Sequence, residues 1–119
     1  MGLIDLIEKV KGHPDYPKVG MILCHNGVVR HTARDGRKVS GMSITVDHKK
    51  LKKILEENKQ KTGIVDIQVD IVENQDLAVG DDVMFLVVAG DIRENVISCL
   101  RDTLNAIKTG VTTKTQFYQ

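Results

Sequence analysis

The sequence predicts a single α+β domain with the element order αββαββα. Its 119 residues suit one domain that buries its own core. Between Ile64 and Ile71, apolar and polar residues alternate, which is typical of a half-buried strand. Between Ile92 and Lys108, apolar residues recur every three or four positions, as on the inward face of a helix. Both periods in one short chain indicate a mixed fold.

The first half of the chain predicts one helix and two strands. Residues 1–18 form an N-terminal helix and loop, because apolar residues at helical spacing end at Gly12. The stretch Met21–Arg30 opens with a continuous apolar run, which predicts a strand covered on both faces. Residues 34–37 contain Asp-Gly, which favours a tight hairpin into an alternating return strand at residues 42–46.

The middle of the chain predicts a helix and two further strands. Asp47 is placed to cap a helix whose apolar residues face inward. Its lysines (Lys49, Lys50, Lys52 and Lys53) have no interleaved aromatic residues, so they indicate a solvated face rather than a nucleic-acid site. The alternating strand at residues 65–71 follows. The apolar run at residues 83–89 predicts a central strand.

The last predicted element is a helix followed by a polar tail. Asp91 and Glu94 form a capping-box-like start, and the helix runs to Lys108. Gly110 is a natural helix C-cap, and residues 109–119 are expected to form a C-terminal tail.

The composition excludes several classes of protein. The net charge of +1 gives no global attraction to nucleic acid or membranes. The N-terminus lacks a signal-peptide pattern, so a cytoplasmic protein is expected. Cys24 and Cys99 lie in apolar stretches and are interpreted as core residues. Neither a CxxC motif nor histidines at ligand spacing are present, so no metal site is predicted.

The candidate functional residues are four cations at the ends of elements. Arg30 closes the first strand, Arg93 opens the last helix, Lys108 closes it, and Lys114 lies in the tail. A helix N-terminus favours anions, which makes Arg93 a candidate anion ligand. Arg93 and Lys108 lie about 22 Å apart along one helix. They therefore belong to different parts of an extended site, are joined through a second subunit, or are simply solvated helix ends.

The ordered set of these residues resembles the large subunit of molybdopterin synthase. Gly27–Arg30 is similar to that family's Gly-x-Val-Arg strand end. Residues 73–90 resemble its polar turn, Gly-Asp pair and apolar strand. Arg93 matches the arginine of a His-Arg pair, and Lys108 falls at the family's catalytic lysine. Lys114 follows as a second lysine, and the similarity covers most of the chain.

The resemblance implies an α/β-hammerhead-containing subunit that forms a homodimer. Each end of the dimer would bind a small ubiquitin-like sulfur carrier, giving a heterotetramer. The carrier's C-terminal Gly-Gly thiocarboxylate would deliver two sulfurs to cyclic pyranopterin monophosphate, forming the dithiolene of molybdopterin. The pterin is then a substrate, and no permanently bound cofactor is implied. Neither nucleic acid nor a membrane is an expected partner.

The resemblance also implies roles for individual residues. Arg30 and Arg93 would bind phosphate or carboxylate. Lys108 would be the main catalytic lysine, contacting the carrier's terminus and stabilising an anionic intermediate or a proton transfer. Lys114 is expected to assist at most, because it lies in a threonine-rich tail without an aromatic anchor.

The sequence departs from the family pattern at three places. Ile92 stands where the family has the histidine of its His-Arg pair. Lys114 is one residue early, with Thr113 in place of the usual preceding aromatic residue. The sequence given ends at Gln119, short of the family's basic C-terminal extension. Two functions therefore remain open: a working synthase large subunit, and a relative that binds the carrier or regulates without turnover.

Overall fold

A computed structural model describes residues 2–119 of the chain. Within that range the helices are α1 (Leu3–Lys11), α2 (His48–Lys59) and α3 (Arg93–Gly110), with a short 3-10 turn at Tyr16–Lys18. The strands are β1 (Met21–Val28), β2 (Val39–Val46), β3 (Ile64–Ile71), β4 (Leu77–Ala78), β5 (Asp82–Gly90) and β6 (Thr112–Tyr118). The predicted α+β class is confirmed, and the predicted order is present with β4 and β6 added. Within residues 2–119, none of the helices combines the length and apolar character that crossing a membrane requires.

The strands form two separate three-stranded antiparallel sheets. The first has the order β1-β5-β3, and the second has the order β4-β2-β6. The prediction that the apolar run at residues 83–89 is a central strand is confirmed. The prediction that β1 is covered on both faces is wrong, because β1 lies at the edge of its sheet and its residues are half-buried or exposed.

The turn at residues 34–37 forms, but it does not join a hairpin of β1 and β2. A single bridge between Thr32 and Lys38 closes the turn, with Gly36 at φ +89°. The chain leaves the first sheet at a bulge after Gly27. The backbone of Val29 then exchanges hydrogen bonds with the turn before β5, and β2 enters the other sheet. The predicted turn is therefore confirmed, whereas the predicted hairpin is wrong, because β1 and β2 lie in different sheets.

The central strand β5 separates two hydrophobic clusters. Leu86 and Val88 belong to the larger one, which also includes apolar residues of α2 and α3. Val87 and Ala89 face the other side, where Leu6 and Val10 of α1 are buried. This alternation follows from the two-residue period of a strand, and it explains why β5 is apolar throughout.

Two predicted core positions are exposed. Cys24 lies on edge strand β1 and is solvent-exposed, whereas Cys99 is buried. Ile92 is 54% exposed, because it is the N-cap of α3 and precedes the first helical turn. The buried face of α3 is instead formed by Val96, Cys99, Thr103 and Ile107.

The predicted polar tail contains a strand. Helix α3 continues through Gly110, and its C-cap is the buried Val111. Strand β6 then pairs with β2 from Thr112 opposite Val46 to Tyr118 opposite Val39. Threonine is polar but β-branched, so a threonine-rich segment is also well suited to an edge strand.

Candidate active-site groove

A groove of about 800 Å³ lies between the edge of the first sheet and one face of the second. Residues 25–28 of β1 form one side, and the loop after them forms the rim. Met42 and Ile44 of β2 lie on the floor. Every second residue of β6 also lines it, namely Thr112, Lys114, Gln116 and Tyr118. We call this depression the cationic groove.

The groove brings together three of the four predicted cations. Arg30 comes from the loop after β1, Lys108 from the last turn of α3, and Lys114 from β6. Two cations that were not predicted, Arg34 and Arg37, also line it. Asp35 is the only carboxylate among the lining residues. A chain with a net charge of +1 thus concentrates positive charge at one place, where an anion is favoured.

Lys114 is held by regular structure rather than by a loose tail. It pairs with Ile44, a buried residue of β2, and the register is continuous from Gly41 to Val46. The expectation that Lys114 lies in a tail without an anchored backbone is therefore wrong. Lys108, which follows the fully buried Ile107, is also on an ordered backbone. Both lysines are therefore carried by regular backbone structure.

The rim of the groove is fixed by contacts of two arginines. The Arg30 Nε donates a hydrogen bond to the Thr32 carbonyl oxygen at 2.8 Å. The Arg37 Nε lies 2.8 Å from the Asp35 carboxylate, and its Nη2 donates to the Tyr118 hydroxyl at 3.1 Å. The Arg37 guanidinium also lies over the Tyr118 ring, 4.0 Å from its centre. These contacts fasten the rim loop to β6.

Arg37 also controls the charge of Asp35. A hydrogen bond from the Arg37 backbone N–H is the largest cause that lowers the pKa of Asp35, and the guanidinium adds to it. Asp35 is therefore ionised and paired at neutral pH. It partly offsets the charge of Arg37, which leaves Arg30, Arg34 and the two lysines as the cations available to a ligand.

The fourth predicted cation, Arg93, lies outside the groove at the other end of α3. The start of that helix already holds a carboxylate. Asp91 accepts hydrogen bonds from the Asn95 amide at 2.9 Å and the Ile92 backbone N–H at 2.7 Å. These two bonds lower the pKa of Asp91, with the Asn95 contact the larger cause. Arg93 does not lie with the other predicted cations within one subunit. Its role in anion binding stays a prediction.

The groove also contains His25, which the sequence did not single out. Its Nε2 is buried without a hydrogen-bond partner, the only such side-chain nitrogen or oxygen in the part of the chain that the structure describes. Burial lowers the pKa of His25, and the nearby charge of Lys108 lowers it further. The sequence feature that could have identified His25 is the two-residue period of β1, which places His25 between Leu23 and Gly27 on the inward face.

Comparisons with known proteins agree with this fold. The MoaE protein family matches residues 3–110. A molybdopterin cofactor biosynthesis protein E from Burkholderia multivorans is 19% identical, with a TM-score of 0.77 over 100% of this chain and 82% of that one. A molybdopterin synthase from Staphylococcus aureus is 18% identical, with a TM-score of 0.72 over 86% of this chain and 77% of that one.

A third solved structure is a complex of subunits 1 and 2 of the molybdopterin-converting factor from Helicobacter pylori. One chain of it is 17% identical, with a TM-score of 0.70 over 99% of this chain and 84% of that chain. Curated protein sequences give no significant match. Since the family match spans nearly the whole chain, the protein belongs to the MoaE family, the large subunits of molybdopterin synthase, and its role is in molybdenum cofactor biosynthesis.

Proposed function

We propose that this chain is the catalytic large subunit that transfers sulfur from a thiocarboxylated small carrier to cyclic pyranopterin monophosphate. The observation that carries the proposal is the cationic groove, in which Arg30, Lys108 and Lys114 converge within a member of the MoaE family. Both reactants are anions, one a thiocarboxylate and the other a cyclic phosphate. Paired cations in a partly enclosed groove bind such groups and stabilise charge that develops between them.

Each cation has a role that follows from its position. Arg30, oriented by its bond to Thr32, binds the phosphate as a planar donor at the rim. Lys108 and Lys114 approach from α3 and β6, so together they hold the carrier's terminal acyl group between them. When sulfur attacks the pterin, negative charge shifts onto oxygen, and an ammonium already in place stabilises it without rearrangement.

The partner in this proposal is a small ubiquitin-like protein ending in Gly-Gly. The Helicobacter pylori complex of subunits 1 and 2 supports a two-subunit assembly for a protein of this fold. The cationic groove, at about 800 Å³, has room for an extended tail. A terminal Gly-Gly segment fits such a passage, because it has no side chains to collide with the walls.

We further propose a homodimer, each subunit of which binds one carrier, in the cytoplasm. Arg93 lies about 22 Å along α3 from Lys108, so only a second subunit can bring such a residue to the groove. Exposed apolar residues, among them Val28, Ile92 and Ile97, give this contact an apolar component. Sedimentation at tens of micromolar should give close to twice the monomer mass, and a clean monomer would contradict the dimer.

The deciding experiment is reconstitution of sulfur transfer. Purified protein is mixed with thiocarboxylated carrier and cyclic pyranopterin monophosphate, and the dithiolene pterin is quantified. Product formation with turnover supports the proposal. The alternative of a binding or regulatory module is favoured by Ile92 in place of the family histidine. It predicts carrier binding without any dithiolene, and that result would reject the catalytic proposal.

A second measurement locates the anion site. Phosphate should raise the thermal unfolding temperature of the wild-type protein, because it binds the folded state. Arg30→Glu should abolish this protection, whereas Lys52→Glu, at an exposed position of α2 outside the groove, should keep it. If Arg30→Glu is protected as well as the wild type, the phosphate site lies elsewhere.

A further inference from the structure

The cationic groove holds an unusual histidine. The inward face of β1 carries Leu23, His25 and Gly27 in succession, and His25 is paired with the fully buried Leu86 of β5. A Cβ atom on Gly27 would lie 3.4 Å from the His25 Nε2, so the ring extends along the strand over the glycine. The imidazole lines the groove together with Lys108, whose charge is close enough to act on it.

The His25 Nε2 is buried and has no hydrogen-bond partner. Leaving a buried polar atom unpaired costs roughly 1–3 kcal/mol, and folded proteins rarely keep such atoms without a role. Burial of the His25 ring and the nearby Lys108 ammonium both lower the pKa of His25, so its ring is neutral near pH 7. A neutral ring has one nitrogen lone pair that accepts a proton.

No other side chain lining the groove offers a comparable base. The five lysine and arginine side chains, Arg30, Arg34, Arg37, Lys108 and Lys114, are cations that donate protons. Asp35 is paired with Arg37, and hydrogen bonds from the Arg37 backbone N–H and guanidinium lower the pKa of its carboxyl group. The Tyr118 hydroxyl donates to Gln116 at 2.9 Å and accepts from Arg37.

The proposed reaction needs a base in this groove. When the thiocarboxylate sulfur adds to a pterin carbonyl carbon, the π electrons of that C=O bond move to its oxygen, and the sulfur is still attached to the carrier's acyl carbon. Water then attacks the acyl carbon, the acyl carbon–sulfur bond breaks, and sulfur remains on the pterin as a thiolate. The carrier is left with a carboxylate, and two protons are released. One comes from the attacking water and the other from the new carboxyl group.

We propose that His25 is the general base of this sulfur-release step, accepting at Nδ1, the ring nitrogen that is not buried, the proton that the attacking water loses. The inference rests on the proposed function, and it adds a catalytic residue to the two lysines, Lys108 and Lys114. Lys108 and His25 then divide the chemistry. The ammonium stabilises the acyl oxygen as it becomes negative, while the neutral imidazole takes up the proton.

The test is the pH dependence of single-turnover dithiolene formation by the reconstituted complex. The wild-type rate should rise with pH along a limb with an apparent pKa below 6.5. His25→Gln should lower the rate at pH 7.5 by about a hundredfold and remove that limb, since an amide cannot take up the proton. His31→Gln is the matched control, because His31 is exposed and does not line the groove. Its rate and profile should match the wild type.

Two further measurements keep the proposal testable if His25→Gln folds poorly. In Lys108→Met, the limb of the residual activity should move to higher pH, because a nearby positive charge has been removed. In His25→Ala, added imidazole should restore part of the rate. A His25→Gln rate within about threefold of the wild type with the limb intact would overturn the inference while leaving the proposed function standing. If the wild type forms no dithiolene, both fall together.

Discussion

Replacing Lys108 or Lys114 by alanine tests whether the groove requires both ammonium groups. The two lysines reach the same groove from α3 and β6, and both are carried by ordered backbone. Losing one preorganised charged donor slows comparable reactions by about 10²–10³-fold, or roughly 3–4 kcal/mol of transition-state stabilisation. We therefore expect each single substitution to lower the rate of sulfur transfer at least about a hundredfold.

The same substitutions should leave the folded state almost unchanged. Both side chains are solvent-exposed. A lysine in the last turn of a helix contributes under about 1 kcal/mol through the helix dipole, and an exposed strand residue contributes less. Urea unfolding should therefore show a loss of under about 1 kcal/mol for either variant. A large loss of activity with a small loss of stability separates a chemical role from a structural one.

The assay is single-turnover dithiolene formation, with Lys52→Ala as the matched control. Lys52 is an exposed lysine of α2 that does not line the groove, and its replacement should leave the rate unchanged. The double variant should lose less than the product of the two single effects, because both lysines act on one bound anion. Wild-type turnover in Lys108→Ala would refute the assignment of that lysine, and the same holds separately for Lys114→Ala.

Three other perturbations follow from the structure. Because the pKa of His25 is lowered from 6.5, the unfolded chain binds its proton first as pH falls, so the free energy of unfolding should decrease below pH 6.5. His25→Gln should reduce that decrease in urea titrations at pH 7.5 and 5.5. Gly41→Ala should lower the free energy of unfolding by about 1–3 kcal/mol, because its Cβ would meet a β4 carbonyl oxygen. Gly110→Ala should not destabilise α3, because its Cβ would meet no other atom. Tyr118→Leu should weaken phosphate binding about two- to fivefold in calorimetry, because Arg37 loses a contact of about 0.5–1 kcal/mol that holds the rim.

The sequence was sufficient for the types of most elements because their periods are clear. The strand β3, the apolar strand β5 and the Asp47 cap of α2 all form as predicted, although Asp66, on the expected polar face of β3, is buried. The Asp47 carboxylate accepts from the Lys50 backbone N–H at 3.1 Å. These features depend on neighbours a few residues away, and such local rules can be read directly from a sequence.

Strand pairing and the full composition of the groove could not be predicted in this way. The partner of β2 is β6, about seventy residues later, and its threonines look like a solvated tail until that pairing is known. The groove depends on the same pairing, which places Lys114 opposite Ile44 and among the residues that line the groove with Lys108. The role of His25 depends on burial of one atom, which no local pattern reveals. The spacing of cations along the sequence identified the candidates, and the folded structure shows which of them line the same groove.

The division of β5 into two faces has a consequence for how this protein can change over evolutionary time. Helix α1 packs on the face of Val87 and Ala89, away from the face of Leu86 and Val88. Substitutions at the contact between α1 and the sheet are thus separated from the groove by the thickness of the sheet. The sequence of α1 can therefore diverge between homologues, or α1 can acquire a new binding surface, without changing the residues of the groove on the opposite side of the sheet.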